Sequence, residues 1–287
     1  MKEKIFTEHA NRFSSKRKQN FRTALISELE AHGYEVTIHK SIRGNNIYFG
    51  NIDSKYILTA HYDTATNMTV VYPFIKYFGN RIGQVVLLLV LLGILPIFTN
   101  LLDPWLASMI FLVAALTLLI GLLIPNKYNY NDNTSGVLTL LEHAIRHKDN
   151  PNFFYALTDN EEKGLFGAYA LKSYLNKRGK FQGKYNINVD CVGIGDTFAL
   201  CCGKKSKYLN RSVTKCNEHT PVLSFATSLF TSDHVVFGEK GIMISKLNRA
   251  KFAKDYYIPN LHTNKDKEFD WNNIDQALKI IDKITTD

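Results

Sequence analysis

Cysteine is scarce in this chain of 287 residues, and the four present (Cys191, Cys201, Cys202, Cys216) show no C-x-x-C spacing. That excludes a disulfide framework and a thiolate metal site. Cys191 and Cys201 fall in apolar, strand-like runs and read as small core residues. The N-terminal stretch MKEKIFTEHANRFSSKRKQN lacks the apolar core of a cleavable export signal. Free thiols and a missing export signal lead us to expect a reducing, cytosolic setting for the globular part. No basic run interleaved with aromatics occurs, so no nucleic-acid partner is expected despite the net charge of +9. The excess charge reads first as lysine spread over a solvated surface, and second as attraction to anionic lipid head groups. Internal repeats and low-complexity tracts are absent.

A further absence has larger consequences. Residues 82–102 and 104–126 contain no Asp, Glu, Lys, Arg or His, and only Asp103 separates them. As helices they would span about 31 Å and about 34 Å, enough for a hydrocarbon core. The expectation is a two-helix transmembrane hairpin, 82–125, inserted into one discontinuous globular domain, 1–81 and 126–287. Lys76, Arg81 and Lys127 flank it, so the positive-inside rule turns Asn100–Trp105 outward and keeps the flanks cytoplasmic. Trp105 then reads as an interfacial anchor, and Val70, Tyr72, Phe74 and Phe78 as interface residues. An integral protein of a bacterial plasma membrane follows, with the lipid bilayer as a partner.

Outside that stretch, strand and helix patterns alternate. Phe21, Leu25 and Leu29 mark a helix ending near His32, with Gly33 as its stop. Strand-like runs follow at Glu35–His39, Asn46–Phe49 and Tyr56–Ala60, with Gly44 at a turn. Helices are expected at Gly136–His147, Leu165–Leu175 and Ile274–Ile284. Further strands are expected at Phe153–Leu157, Tyr185–Val192, Phe198–Cys202, Val222–Ala226 and Ile242–Leu247. The pattern implies an α/β fold, a mostly parallel mixed sheet flanked by helices.

Acidic and imidazole groups sit where these strands end or helices begin. His61 and Asp63 lie in LTAHYDT, Asp132 in YNDNTSGV, Glu161 and Glu162 in TDNEEKGLFGA, Asp190 in INVDCVG and His262 in NLHTNKD. Functional groups of open α/β sheets gather at the carboxyl ends of strands. Mixed imidazole and carboxylate donors suit a borderline metal such as zinc. A pair of metals needs a bridging carboxylate. Adjacent glutamates can then divide metal binding from proton handling. His9, His32, His39, His143, His147 and His219 lack such context and read as surface residues.

The ordered set AHYDT, NDNTSGV, NEEKGLFGA, NVDCVG, SDH and LHT resembles the co-catalytic di-zinc aminopeptidases related to bacterial leucyl aminopeptidase. Glutamate carboxypeptidase, the transferrin receptor and glutaminyl cyclase belong to the same superfamily. The resemblance covers roughly 56–64 and 130–265. It implies a zinc exopeptidase-like fold holding two zinc ions, one on His61 and Asp190, the other on Glu162 and His262, with Asp132 bridging. It further implies Glu161 as the general base acting on a bridging water, and Asp63 orienting His61. Ser232, Asp233 and His234 match a segment that lines the site. Where some members have a Tyr before the final His, this chain has Leu261. Either Tyr256 or Tyr257 stands in, or the oxyanion relies on zinc alone. The expected activity is a membrane-anchored aminopeptidase acting on peptides. The alternatives are an amidase or acyl-transfer enzyme acting on amphiphilic amides, and a non-enzymatic receptor or scaffold.

Overall fold

The computed structural model describes residues 8–69, 71–87, 103–121, 123–148, 150–202, 220–224 and 229–286. Helix α1 (Ser15–Ala31) is capped by Ser14 and leads into β1 (Thr37–Ser41), β2 (Gly44–Gly50) and β3 (Tyr56–His61). Short helix α2 (Tyr72–Phe78) and helix α3 (Pro104–Gly121) follow. A tight turn, Tyr130–Ser135, opens into α4 (Gly136–Arg146), then β4 (Phe153–Thr158), α5 (Phe166–Lys177) and β5 (Tyr185–Val189). The chain closes with β6 (Thr197–Cys202), β7 (Val222–Ser224), β8 (Gly241–Arg249), β9 (Tyr256–Tyr257) and α6 (Trp271–Thr285).

The strands form one mixed sheet in the order β1-β2-β4-β3-β5-β8-β6-β7, with β9 on β8. Its centre, β4-β3-β5-β8, is parallel. The β1–β2, β2–β4 and β6–β8 pairs are antiparallel, so the sheet is less parallel than the strand–helix alternation implies. The connection from β1 to β2 is only Ile42 and Arg43, and so short a link can join only antiparallel strands.

Period-two alternation divides the core. Leu58, Ala60, Tyr155 and Leu157 face a cluster with Phe21, Leu25, Leu138, Leu141, Leu278 and Ile281, which belong to α1, α4 and α6. Ile57, Phe154 and Ala156 face the opposite side with Ala168, Leu171 and Leu175 of α5. Every residue of β3 is buried, which accounts for its unbroken apolar run. The expected strand Tyr185–Val192 ends at Val189, because Cys191 takes a left-handed φ of 56° and turns the chain away from the extended path. The strand expected at Val222–Ala226 is described only to Ser224. His143, expected at the surface, is fully buried on α4.

The membrane hairpin is not what the structure shows. Among the described residues, no helix is long and apolar enough to cross a membrane. The second apolar segment forms α3, whose 18 residues reach about 27 Å at 1.5 Å per residue, short of a ~30 Å hydrocarbon core. Residues 80–87 are helical, while 88–102, most of the first expected span, lie outside the described residues. The expected integral-membrane placement, with its bilayer partner, outward turn and cytoplasmic domain, rested on those spans and falls with them.

Lys18 ties α1 to the loop after β4. It is 5% exposed, and its Nζ lies 2.5 Å from Asp159 Oδ1 and 2.6 Å from Asn160 Oδ1. Asp159 is 3% exposed, so removing its cation would leave a buried, unpaired carboxylate. Lys18→Met is therefore expected to lower the unfolding free energy by about 3–5 kcal/mol. Urea denaturation followed by circular dichroism measures this, and a loss under about 1 kcal/mol would be the value of a solvent-screened pair.

Candidate metal centre

The carboxyl ends of β3, β4 and β5 converge on one cavity of about 310 Å³, which the turn before α4 and the loop after β9 complete. Its carboxylate and imidazole lining is His61, Asp132, Glu161, Glu162, Asp190 and His262. His61 Nε2 lies 3.1 Å from Asp132 Oδ1 and 3.5 Å from Asp190 Oδ1. His262 Nε2 lies 2.9 Å from Asp132 Oδ2 and 3.2 Å from Glu162 Oε2. Two donor sets result, His61–Asp132–Asp190 and Asp132–Glu162–His262, each with ligand atoms within 4.8 Å of one another. They share Asp132, one carboxylate oxygen to each.

These spacings fit a metal. Ligands about 2.0–2.1 Å from a tetrahedral zinc are about 3.3 Å apart, and the observed separations scatter around that value. Buried Glu162 Oε1 has no hydrogen-bond partner. The lining also carries four carboxyl groups against two imidazoles, a donor set suited to a divalent cation.

Hydrogen bonds to the backbone hold the donors in place. Asp266, fully buried, accepts the amides of Asn131 (2.7 Å) and Asp132 (3.0 Å), so the residue shared by the two donor sets is clamped through its own main chain. Asn133 Oδ1 accepts the amides of Gly136 and Cys191, and Asn131 Oδ1 that of Gly193, linking the turn to the segment after β5. Asp63 Oδ1 and Oδ2 accept the amides of Glu161 (3.0 Å) and Glu162 (3.3 Å). The His61 Nδ1 contact is with the Asp63 backbone carbonyl at 3.2 Å, while the carboxylate is 3.6 Å away. Asp63 thus orients both the imidazole and the glutamate loop. Buried Arg12 hydrogen-bonds the Tyr62 carbonyl and Thr134 Oγ1, joining the two ligand segments from beneath.

Left-handed backbone at non-glycine residues clusters here. Asn160, Leu165, Cys191, Leu229, Asn260 and His262 all have φ between 52° and 62°. Such conformations persist where surrounding contacts impose them.

Burial pushes the Glu161 carboxyl well above the usual range, and Glu162, Asp190 and Asp233 push it further against the opposing pull of His61. Burial also raises Glu162. Burial disfavours charge on His61 and His262, yet the surrounding carboxylates raise both imidazoles overall. For Asp132 burial works upward, but the two imidazoles win and hold it well below the usual range.

The remaining expected residues sit further back. Asp233 accepts a hydrogen bond from Thr158 Oγ1, and burial pushes it up to about 7. Burial brings His234 down to about 4, and neither ring nitrogen has a hydrogen-bond partner. Ser232 accepts a hydrogen bond from Asn188 Nδ2 at 2.8 Å. None of the three lines the cavity, and neither do Tyr256 and Tyr257, which form β9. Leu261 does line it. Arg12, Asn131, Asn133 and Asp266 were not singled out in the sequence. The available hint was Asp266, an acid four residues beyond His262 in NLHTNKD.

Asp63→Ala would release both loop amides and is expected to weaken zinc binding by about 10–100-fold. Competition with a chromophoric chelator measures this, and an unchanged affinity would remove Asp63 from any positioning role.

No curated protein matches this chain in sequence. Among solved structures, it is similar to the LapA aminopeptidase of Legionella pneumophila, at 15% identity and TM-score 0.64. That match covers 99% of this chain and 66% of LapA, so the chain spans just under two thirds of that relative. A leucine aminopeptidase precursor of Bacteroides thetaiotaomicron matches at 18% identity and TM-score 0.58, over 98% of this chain and 93% of that one. The glutaminyl cyclase of the same organism matches at 18% identity and TM-score 0.58, over 98% and 94%. At these identities the likeness is one of fold, a mixed sheet flanked by helices. Residues 124–285, more than half of the chain, match peptidase family M28, and the protein belongs to that family.

Proposed function

We propose that this protein is a zinc-dependent aminopeptidase that removes the N-terminal residue from peptides. The observation that carries the reading is the sharing of Asp132 between two donor sets, with Glu161 in the same cavity. His61, Asp132 and Asp190 would hold one zinc, and Asp132, Glu162 and His262 the other. Bound there, the two ions would activate a water nucleophile and polarise the scissile carbonyl.

Glu161 is the residue placed to move the proton. Its carboxylate takes one from the attacking water and returns it to the nitrogen of the departing amine. Its raised affinity for protons favours the first transfer, and the second restores the carboxylate. Of the two readings for the oxyanion, the one without a tyrosine is supported, because Leu261 lines the cavity and Tyr256 and Tyr257 do not.

Two features of the cavity favour a free N-terminal residue as substrate. Its acidic end attracts an α-ammonium group. Its other wall is apolar, formed by Met68, Val71, Ile75, Leu87, Phe230 and Ile258, and suits an apolar side chain. The scaffold alternative would expect a donor to be missing, and the grouping of all five expected donors around one cavity supports the enzyme reading instead. An amidase or acyl-transfer activity has in its favour only the fold shared with a glutaminyl cyclase.

Glu161→Gln is expected to lower kcat on a leucyl peptide by at least about 10²-fold with bound zinc unchanged. Substantial turnover by that variant would defeat the assigned mechanism. Acetylating the substrate's α-amine is expected to abolish cleavage, as followed by chromatography of the products. Equal cleavage of free and acetylated peptides would replace the aminopeptidase with an amidase or endopeptidase.

A further inference from the structure

A second pair of imidazoles sits at the carboxyl end of α4, remote from the candidate metal centre, with His143 in its last turn and His147 as its C-cap. His143 and His147 are one helical turn apart, with ring centroids 4.3 Å apart and planes inclined by 23°. About 12 Å of helix rise separates His143, and about 18 Å His147, from the end of the turn that carries Asp132. Both point at α6, where Asp282 Oδ1 lies 3.1 Å from His147 Nε2 and 3.6 Å from His143 Nε2. One ligand atom from each of the three residues falls within 4.8 Å of the others.

The buried ring is the informative one. The His143 side chain has no exposure, its ring lies perpendicular to that of Phe153 with centroids 4.6 Å apart, and its Nδ1 lies 2.9 Å from Tyr155 Oη. Its Nε2 is buried and has no hydrogen-bond partner. Neither tautomer resolves this. If Nδ1 donates to Tyr155, a bare Nε2 lone pair faces the Asp282 carboxylate. If Tyr155 donates to Nδ1, the Nε2 proton points at an oxygen too distant to accept it well. A cation between them satisfies the lone pair and the carboxylate together. Tyr155 would then act as the outer partner that fixes the tautomer of a ligating histidine.

The surroundings agree. Arg146, the nearby cation on α4, is already paired with Asp275 at 2.7 Å. The separations of 3.1 and 3.6 Å bracket the ~3.3 Å edge of a tetrahedral zinc site. His147 and Asp282 are 29% and 47% exposed, leaving one side open for water as a fourth ligand.

We propose that His143, His147 and Asp282 form a separate zinc site whose role is structural, tying the last helix to α4. Two donors come from one helix and the third from α6, the last element of the chain. Closing the site therefore pins α6 against the sheet face that α4 covers. The proposal does not depend on the aminopeptidase reading, since the two centres share no residue.

The test counts zinc in the full-length protein after equilibration with micromolar Zn²⁺ and gel filtration. The wild type is compared with His147→Ala and Asp282→Asn, whose side chains are partly exposed and whose loss leaves the core intact. Each variant is expected to carry one zinc fewer per chain and to lose the part of Tm that Zn²⁺ adds to the wild type. Leucyl-peptide turnover should stay within about twofold of the wild type, because neither residue touches the catalytic cavity. Glu162→Ala supplies the separating control and should lose turnover while keeping the zinc that depends on His147. Equal zinc content in all three proteins, or zinc held there only at millimolar concentration, overturns the proposal whatever the activity.

Discussion

Asp132 sets its two carboxylate oxygens against two different imidazoles, 3.1 Å from His61 and 2.9 Å from His262, at a point 3% exposed to solvent. Much of the surrounding structure serves to keep it there. Its amide is held by Asp266, and the turn it sits in is laced to the segment after β5 by Asn131, Asn133 and Ser135. A buried carboxylate costs several kcal/mol unless it is paired, and this one lies beside three more. A divalent cation between the two donor sets would offset that charge, and the polar network is arranged to hold the donors around it.

The same requirement explains how α4 and the sheet divide the work. Parallel strands bring His61, the glutamate loop and Asp190 to one edge because their carboxyl ends point the same way. The turn into α4 then delivers Asp132 from outside the sheet. Each ligand therefore comes from a separate segment, and the distances between them depend on the packing of rigid elements rather than on any one loop.

The apolar segment between His61 and Asp132 is joined to this frame at its base. Thr66 pairs with Pro125, Asn67 donates to the Ile124 carbonyl, and Asn126 donates to the Ala65 carbonyl. Met68 donates to the carbonyl of His262 itself, and the Asn260 amide donates to Tyr72 Oη. Met68, Val71, Ile75, Gln84 and Leu87 form part of the cavity wall. The segment thus contributes to the site that it interrupts in sequence.

Taken alone, the sequence determined the acidic and imidazole residues that meet at the cavity, the alternation of strands and helices, and the likeness to zinc aminopeptidases. These are legible because ligand chemistry and periodicity are local and tolerate small errors in element boundaries. It misled on the apolar stretch, since absence of charge measures hydrophobicity and says nothing of where a helix stops; α3 ends at Gly121 after 18 residues. It also read His143 as a surface residue. Tertiary structure decided which groups actually meet. Asp63 divides its hydrogen bonds between a histidine and the glutamate loop, Arg12 and Asp266 brace the site across more than 120 residues of sequence, and Tyr256 and Tyr257 stay outside the cavity. Such pairings join residues far apart in the chain, and only the packing of sheet and helices brings their atoms within 3 Å.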